Sequence, residues 1–260
     1  MPNYLITSDE VEELKKSIIG VVCNNKCQGT GVITEKVEGT LQFNDCKCVD
    51  DFKWHCGLQS ANIPKKYWDF NLKDLLKKFV KENNVALGLI DGYSKQCDEM
   101  IKEGVGLYIQ GTNGLAKTAL SCYILKEFIK KEKRAYFIRM SRLTTLIFES
   151  MRDEGAKKKI DFIRKNVQIL VIDEIEKDYK VDDTSSFSGV HVSEIFDDLY
   201  ETKKCLIVTS NLPKKELGKI HSASVVDRLR ELVDIPLIGE TFRGMQDKKS
   251  IILKGMKNGD

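Results

Sequence analysis

The sequence predicts an α/β fold: a parallel sheet carrying a phosphate-binding loop, preceded by a small cysteine-bearing module. Three observations predict it. A short apolar run, Val105-Gly-Leu-Tyr-Ile-Gln110, leads into Gly111-Thr-Asn-Gly-Leu-Ala-Lys-Thr118 and then into an apolar-periodic stretch over residues 119–129. A second apolar run, Val167-Gln-Ile-Leu-Val-Ile172, ends in Asp173-Glu174. Five of the eight cysteines fall within residues 23–56, a crowding that favours a metal site over scattered thiols.

The bulk properties agree. A chain of 260 residues has room for one α/β domain and a small module. With 42% hydrophobic and 31% charged residues it has ordinary globular composition. A net charge of +3 is too small for overall charge to announce nucleic-acid binding. No apolar run approaches the roughly 20 residues of a membrane span, and the opening MPNYLITSDEVEELKK is acidic and polar. The expected location is therefore cytoplasmic. Reducing surroundings there disfavour disulfides.

Taken in order, Thr7-Ser-Asp9 offers caps for a helix with Val11, Leu14, Ile18 and Ile19 on one face. Residues 21–57 then change character. Cys23-Asn-Asn-Lys-Cys27 is followed by Gly29-Thr-Gly31, a β-type stretch to Phe43, Cys46-Lys-Cys48 and His55-Cys56. Two close cysteine pairs flanking a hairpin form a zinc-ribbon-like arrangement, since four thiolates close a tetrahedral structural site. So small a region buries little apolar surface, and a metal would supply the missing stability. The expected zinc ligands are Cys23, Cys27, Cys46 and Cys48, with His55 and Cys56 competing with Cys48 for the last place. Free buried thiols and an iron–sulfur cluster are the alternatives.

Pro64 restricts Ile63 to extended conformations and suggests a boundary. The expected division is a partner-binding module over residues 1–62, a linker over 63–84 and a nucleotide-binding domain over 85–260. Within the linker, Trp68 and Phe70 read as core anchors, and residues 74–81 read as a helix. A second helix over 85–103 places Ala86, Leu89, Ile90, Tyr93 and Cys97 on one face.

The order strand, small-residue loop, Lys-Thr, helix is the context that a P-loop requires. Backbone N–H groups from Gly111, Thr112, Asn113, Gly114, Leu115 and Ala116, joined by the helix start at Lys117, Thr118 and Ala119, would form a positive cradle for phosphate. Lys117 would reach the β- and γ-phosphates, and Thr118 would hold Mg²⁺. Ala116 stands where the pattern has its second glycine, which a methyl tolerates if φ stays negative there.

Residues 134–139 read as a strand, and 141–154 and 157–165 as helices. An apolar strand ending in Asp173-Glu174 is the Walker B pattern: Asp173 acts on Mg²⁺, and Glu174 orients or activates water. Residues 177–190 form a polar loop, and a helix follows over 192–202. Cys205-Leu-Ile-Val-Thr-Ser210 is a further strand ending at Asn211, an amide placed to position the attacking water. Ser224-Val-Val-Asp-Arg-Leu-Arg230 carries two arginines on a helix, and Val233-Asp-Ile-Pro-Leu-Ile238 is an edge strand that tolerates Pro236. Thr241-Phe-Arg-Gly-Met begins a final element.

In this order the motifs GLYIQGTNGLAKT, ILVIDEIEK, IVTSN, VVDRLR and ETFRGM, with the cysteine segment and Ile63-Pro64, resemble the DnaC/DnaI-type helicase loaders. These are a branch of the AAA+ ATPases that includes the IstB-like transposition helpers. The resemblance spans nearly the whole chain. It implies an AAA+ P-loop NTPase core with a five-stranded parallel sheet, and an ATPase using ATP and Mg²⁺. It implies Lys117 and Thr118 as Walker A, Asp173 and Glu174 as Walker B, and Asn211 as sensor I. Arg228 matches the arginine finger that reaches a neighbouring subunit's nucleotide, with Arg230 as its local rival, and Arg243 matches sensor II. A surface salt bridge is the plain alternative for each arginine. The implied partners are a replicative DnaB-type helicase, single-stranded DNA and further copies of the chain. Arg139, Arg142, Arg152 and Lys157-Lys-Lys159 flank the helices that face DNA in such loaders, although a solvated helix face explains them as well. An IstB-type transposition helper and an ATP-switched adaptor without turnover are the rival expectations.

Overall fold

The computed structural model describes residues 7–22, 27, 30–37, 39–177 and 187–240. Cys23, Gly29, Arg243 and the element expected from Thr241 lie outside these residues, as does most of the polar loop expected over 177–190.

Five strands form the central sheet: β3 (Leu107–Gln110), β4 (Ala135–Arg139), β5 (Ile169–Asp173), β6 (Cys205–Ser210) and β7 (Val233–Pro236). All pair in parallel, in the order β4-β5-β6-β3-β7. The inner strands are apolar up to their C-terminal ends because both faces are covered. Alternation sorts their side chains cleanly. Leu107, Ile109, Phe137, Ile169, Val171, Ile207 and Ile235 join one apolar cluster, while Tyr108, Tyr136, Ile138, Leu170, Ile172, Leu206 and Val208 join the other.

The handedness of the crossovers decides which helices cover which face. The steps β4 to β5, β5 to β6 and β6 to β7 all run one way across the sheet, so right-handed connections put their helices on one side. These are α7 (Met140–Ser150), α8 (Glu154–Lys165), α9 (Phe187–Glu201) and α10 (Ala223–Arg230), whose Leu143, Ile163, Phe196 and Leu229 fill that cluster. The step β3 to β4 runs the other way, so α6 (Lys117–Lys130) falls on the opposite face, where Leu120, Ile124 and Phe128 pack. There it is joined by α4 (Asn84–Lys95).

The helix expected over 85–103 is two, α4 and α5 (Cys97–Glu103), which meet at Gln96. Leu89, expected on the buried face of α4, is half exposed. Leu87 takes the inward place instead, because the buried stripe follows Ala86, Leu87, Ile90, Tyr93 and Ser94.

Residues 63–84 pack firmly. Ile63, Leu75 and Phe79 are buried in the α6 cluster, with Trp68 and Phe70 partly buried against it. The helix there is the short α3 (Lys77–Glu82); Asp74 belongs to a preceding turn capped by Asn71. The Lys126 ammonium of α6 donates to the carbonyls of Trp68 (2.8 Å) and Phe70. Upstream, Phe137 N–H donates to Ala61 O, and Asn62 Nδ2 to Phe137 O, each at 2.8 Å. These bonds occupy backbone groups on β4, the strand at the sheet's margin, which would otherwise stand unpaired.

At the N-terminus Thr7 and Glu10 form a capping box on α1 (Ser8–Val22), Thr7 N–H donating to Glu10 Oε2 at 2.7 Å. The hairpin of β1 (Val32–Val37) and β2 (Thr40–Asp45) leads to α2 (Cys48–Ser60). Leu14, Cys27, Cys46, Cys48 and Cys56 make a small buried cluster against which Ile33, Phe52 and Trp68 pack.

Candidate functional site

The order of strands sets the place. The chain leaves β3 in one direction along the sheet and β6 in the other, and a crevice opens at the C-terminal ends of such neighbours. The P-loop after β3 and Asn211 after β6 both lie in it. A Cβ on Gly111 would come within 2.6 Å of Leu237 O, so only glycine fits. Gly114 has φ 88°. Ala116 has φ 56° and ψ 14°, a left-handed conformation, so the negative φ expected there is not met. The loop needs this residue to turn back before α6 begins, and alanine accepts the strain at a cost of about 1–2 kcal/mol.

Lys117 is buried, and its Nζ donates to Gly111 O (2.6 Å), Thr112 O (2.9 Å) and Asn211 Oδ1 (2.7 Å). The Thr118 hydroxyl donates to Asp173 Oδ1 at 2.8 Å, and Thr209 donates to the same oxygen at 2.7 Å. Asp173 is almost wholly buried; burial raises its pKa, against the lowering effect of those two hydroxyls. Glu174 also has a left-handed backbone, φ 56°, held by its N–H donating to Thr209 Oγ1 at 2.9 Å. Its carboxylate meets Lys177 Nζ at 2.8 Å. His221, itself buried, bonds through Nε2 to Ile175 O at 2.9 Å and ties the chain after β6 to the chain after β5.

Four of the predicted residues are thus joined in two hydrogen-bonded pairs, Lys117 with Asn211 and Thr118 with Asp173, and Glu174 meets Asp173 through Thr209. Thr112 and Asn113 are exposed on the loop, while Leu115 and Ala119 are buried beneath it. An open cavity of about 380 Å³ adjoins the loop, walled by Gly111, Leu115, Pro236, Leu237 and Ile238.

A hydroxyl beside a buried carboxylate is a hard oxygen pair suited to Mg²⁺. Glu176 was not singled out by the sequence. It accepts from Asn211 Nδ2 and from Ser210 Oγ (2.9 Å). The run Asp-Glu-Ile-Glu, with a second glutamate two residues after the first, is the signal that places it near the site.

Arg228 is bound elsewhere. Its Nε donates to Asp197 Oδ1 at 3.2 Å, and its guanidinium lies over the Tyr200 ring at 4.1 Å. Arg230 is exposed, with Asp227 at 3.6 Å. Arg139 ends β4 in register with Asp173, and Arg152 and Lys157 to Lys159 are exposed. Arg142 pairs with Glu149 at 2.8 Å.

The described cysteines are all buried. The sulfurs of Cys27, Cys46 and Cys48 lie within 4.8 Å of one another, Cys27 and Cys48 being 3.4 Å apart. Zinc–thiolate bonds of ~2.3 Å put tetrahedral sulfurs roughly 3.8 Å apart, so the triad fits zinc. Of the three competitors for the last place, Cys48 joins the triad. His55 instead bonds Asp51 O through Nδ1 at 2.7 Å, and Cys56 does not lie within that distance of all three sulfurs. Among the described residues no helix is long and apolar enough to cross a membrane.

Residues 96–249 match the family described as IstB-like ATP binding protein. The structure is similar to the crystal structure of the DnaC helicase loader, with TM-score 0.59 and 25% identity over 67% of this chain and 100% of that one. It is similar to the DnaI crystal structure, with TM-score 0.57 and 20% identity over 67% of this chain and 94% of that one. AMPPCP-bound DnaA from Aquifex aeolicus shares the fold, with TM-score 0.55 and 17% identity over 76% of this chain and 56% of that one.

Proposed function

The chain belongs to the IstB-like ATP-binding proteins, with a DnaC-like AAA+ fold, and from that premise we propose that it binds and slowly hydrolyses ATP to load a replicative helicase onto single-stranded DNA. The observation that carries the reading is the convergence of Lys117, Thr118, Asp173 and Asn211 at one crevice. Lys117 leaves its carbonyl partners for the β- and γ-phosphates, where its charge offsets theirs. Thr118 and Asp173 would hold Mg²⁺, which would neutralise phosphate charge. Glu174 takes the proton of, or orients, the attacking water, and Asn211 positions that water.

Arg228 acts as the finger in a neighbouring subunit's site. To do so it exchanges Asp197 and Tyr200 for phosphate, which keeps turnover slow in the isolated chain. Arg243 is assigned the sensor II role within its own subunit. Cys23 completes a zinc site with Cys27, Cys46 and Cys48, and the metal stabilises a helicase-binding module over residues 1–62. Residues 63–84 join it to the ATPase unit over 85–260. The exposed cations from Arg139 to Lys159 track a DNA backbone, in a cytoplasmic setting.

The test is phosphate release with and without single-stranded DNA. Stimulated release that disappears in Glu174→Gln supports the reading. ATP binding with no release in either case leaves an ATP-switched adaptor. The family match favours one further reading, an IstB-type transposition helper, which would prefer duplex DNA.

A further inference from the structure

Asn211 sits between two groups of opposite hydrogen-bonding kind. On one side the Lys117 ammonium, which can only donate, lies 2.7 Å from Oδ1. On the other the Glu176 carboxylate, which when ionised can only accept, takes the Nδ2 donor. An amide between a pure donor and a pure acceptor has one allowed orientation. Glu176 is itself held: its second oxygen accepts from Ser210 Oγ at 2.9 Å, and that hydroxyl accepts from Leu212 N–H at 3.0 Å. Ser210 is fully buried at the end of β6, and Leu212 O accepts from the Tyr108 hydroxyl at 2.7 Å. The carboxylate is thereby anchored to the rigid sheet, while Glu174 turns the other way onto Lys177.

We propose that Glu176 is a positioning residue that locks the Asn211 amide with its carbonyl facing the phosphate crevice. This rests on the ATPase reading above and adds to it a direction of hydrogen bonding. When Lys117 moves onto the nucleotide, Oδ1 is left facing the crevice and Nδ2 stays tied to Glu176. Asn211 then accepts a hydrogen bond from the attacking water and cannot donate to a γ-phosphate oxygen. Without Glu176 the amide is free to turn, offer Nδ2 to the phosphate and hold ATP at least as tightly, with the water no longer aligned. The signature is a split between binding and turnover.

The experiment measures fluorescent-nucleotide binding and phosphate release, with Mg²⁺ and single-stranded DNA, for wild type, Glu176→Ala and Glu176→Gln. Thermal unfolding is followed alongside. Misplacing a reacting group by about 1 Å costs up to roughly a hundredfold in rate, so Glu176→Ala should lower kcat about ten- to a hundredfold with ATP affinity unchanged or tighter. Glu176→Gln keeps an acceptor for Nδ2 but adds a donor that a turned amide can use, so it should recover only part of that loss. Equal kcat in all three proteins overturns the proposal and leaves the ATPase reading standing. So does a parallel loss of affinity, kcat and melting temperature in both variants, which would mark a merely structural role. Wild type that binds ATP without turnover removes the ATPase reading, and the proposal with it.

Discussion

Ala116 gives the sharpest test of the loop. Its φ of 56° lies where an L side chain crowds the following carbonyl, costing about 1–2 kcal/mol. Ala116→Gly removes that strain. Against it stands the greater freedom of glycine in the unfolded chain, about 0.4–1 kcal/mol. The net is a gain of roughly 0.5–1 kcal/mol, or about 1–4 °C in melting temperature for a domain of this size. Ala116→Val, with a branched side chain at the same φ, should lose stability by more than alanine to glycine gains. Thermal and urea unfolding of the nucleotide-free proteins measure both. Because the backbone already has the glycine-like shape, the affinity of Ala116→Gly for ATP should stay within a few-fold of wild type. If Ala116→Gly unfolds earlier than wild type, alanine is not strained there and the loop geometry argued above is wrong.

Three other outcomes follow from the structure. Burial lowers the His221 pKa, so the unfolded chain binds the proton more readily; stability is full above the ordinary 6.5 and declines as pH falls below it. Melting curves between pH 5 and 8 should show that slope, and His221→Gln, which keeps a donor for Ile175 O, should flatten it; parallel curves would exclude His221 as its source. Lys126→Met removes the donor from two part-buried carbonyls, at about 1 kcal/mol, and should speed proteolysis within residues 65–72; unchanged digestion would mean the ammonium does not hold that segment. Metal analysis should find one zinc per chain, lost in Cys46→Ser together with several degrees of melting temperature; purified metal-free protein of unchanged stability would leave the triad as free thiols.

The features legible in the sequence are those written in contiguous residues. A strand that must be apolar on both faces shows as an unbroken run, and a phosphate loop must place its small residues, lysine and threonine in a row. Hence Lys117, Thr118, Asp173 and Asn211 were nameable, and the structure joins them. What escaped depends on pairing across the fold. Glu176 meets Asn211 from the next loop, 35 residues away in the chain. Ala61 and Asn62 cover β4 through bonds to Phe137, which no local pattern announces. Leu89 fits the helical period, but the buried stripe of Ala86, Ile90 and Tyr93 widens on its other side, towards Leu87 and Ser94. The left-handed turn at Ala116 belongs to the loop's shape and overrides the residue's own preference.

Helicase loading with Arg228 acting in a neighbouring subunit's site requires the chain to assemble on single-stranded DNA when ATP is bound. The most direct measurement of that assembly is size-exclusion chromatography with light scattering in ADP and then in ATPγS, with fluorescent single-stranded DNA added to each. Assembly and tighter DNA binding in ATPγS alone, abolished by Arg228→Ala, are expected. A monomer indifferent to nucleotide and to DNA would contradict the claim and leave only the fold.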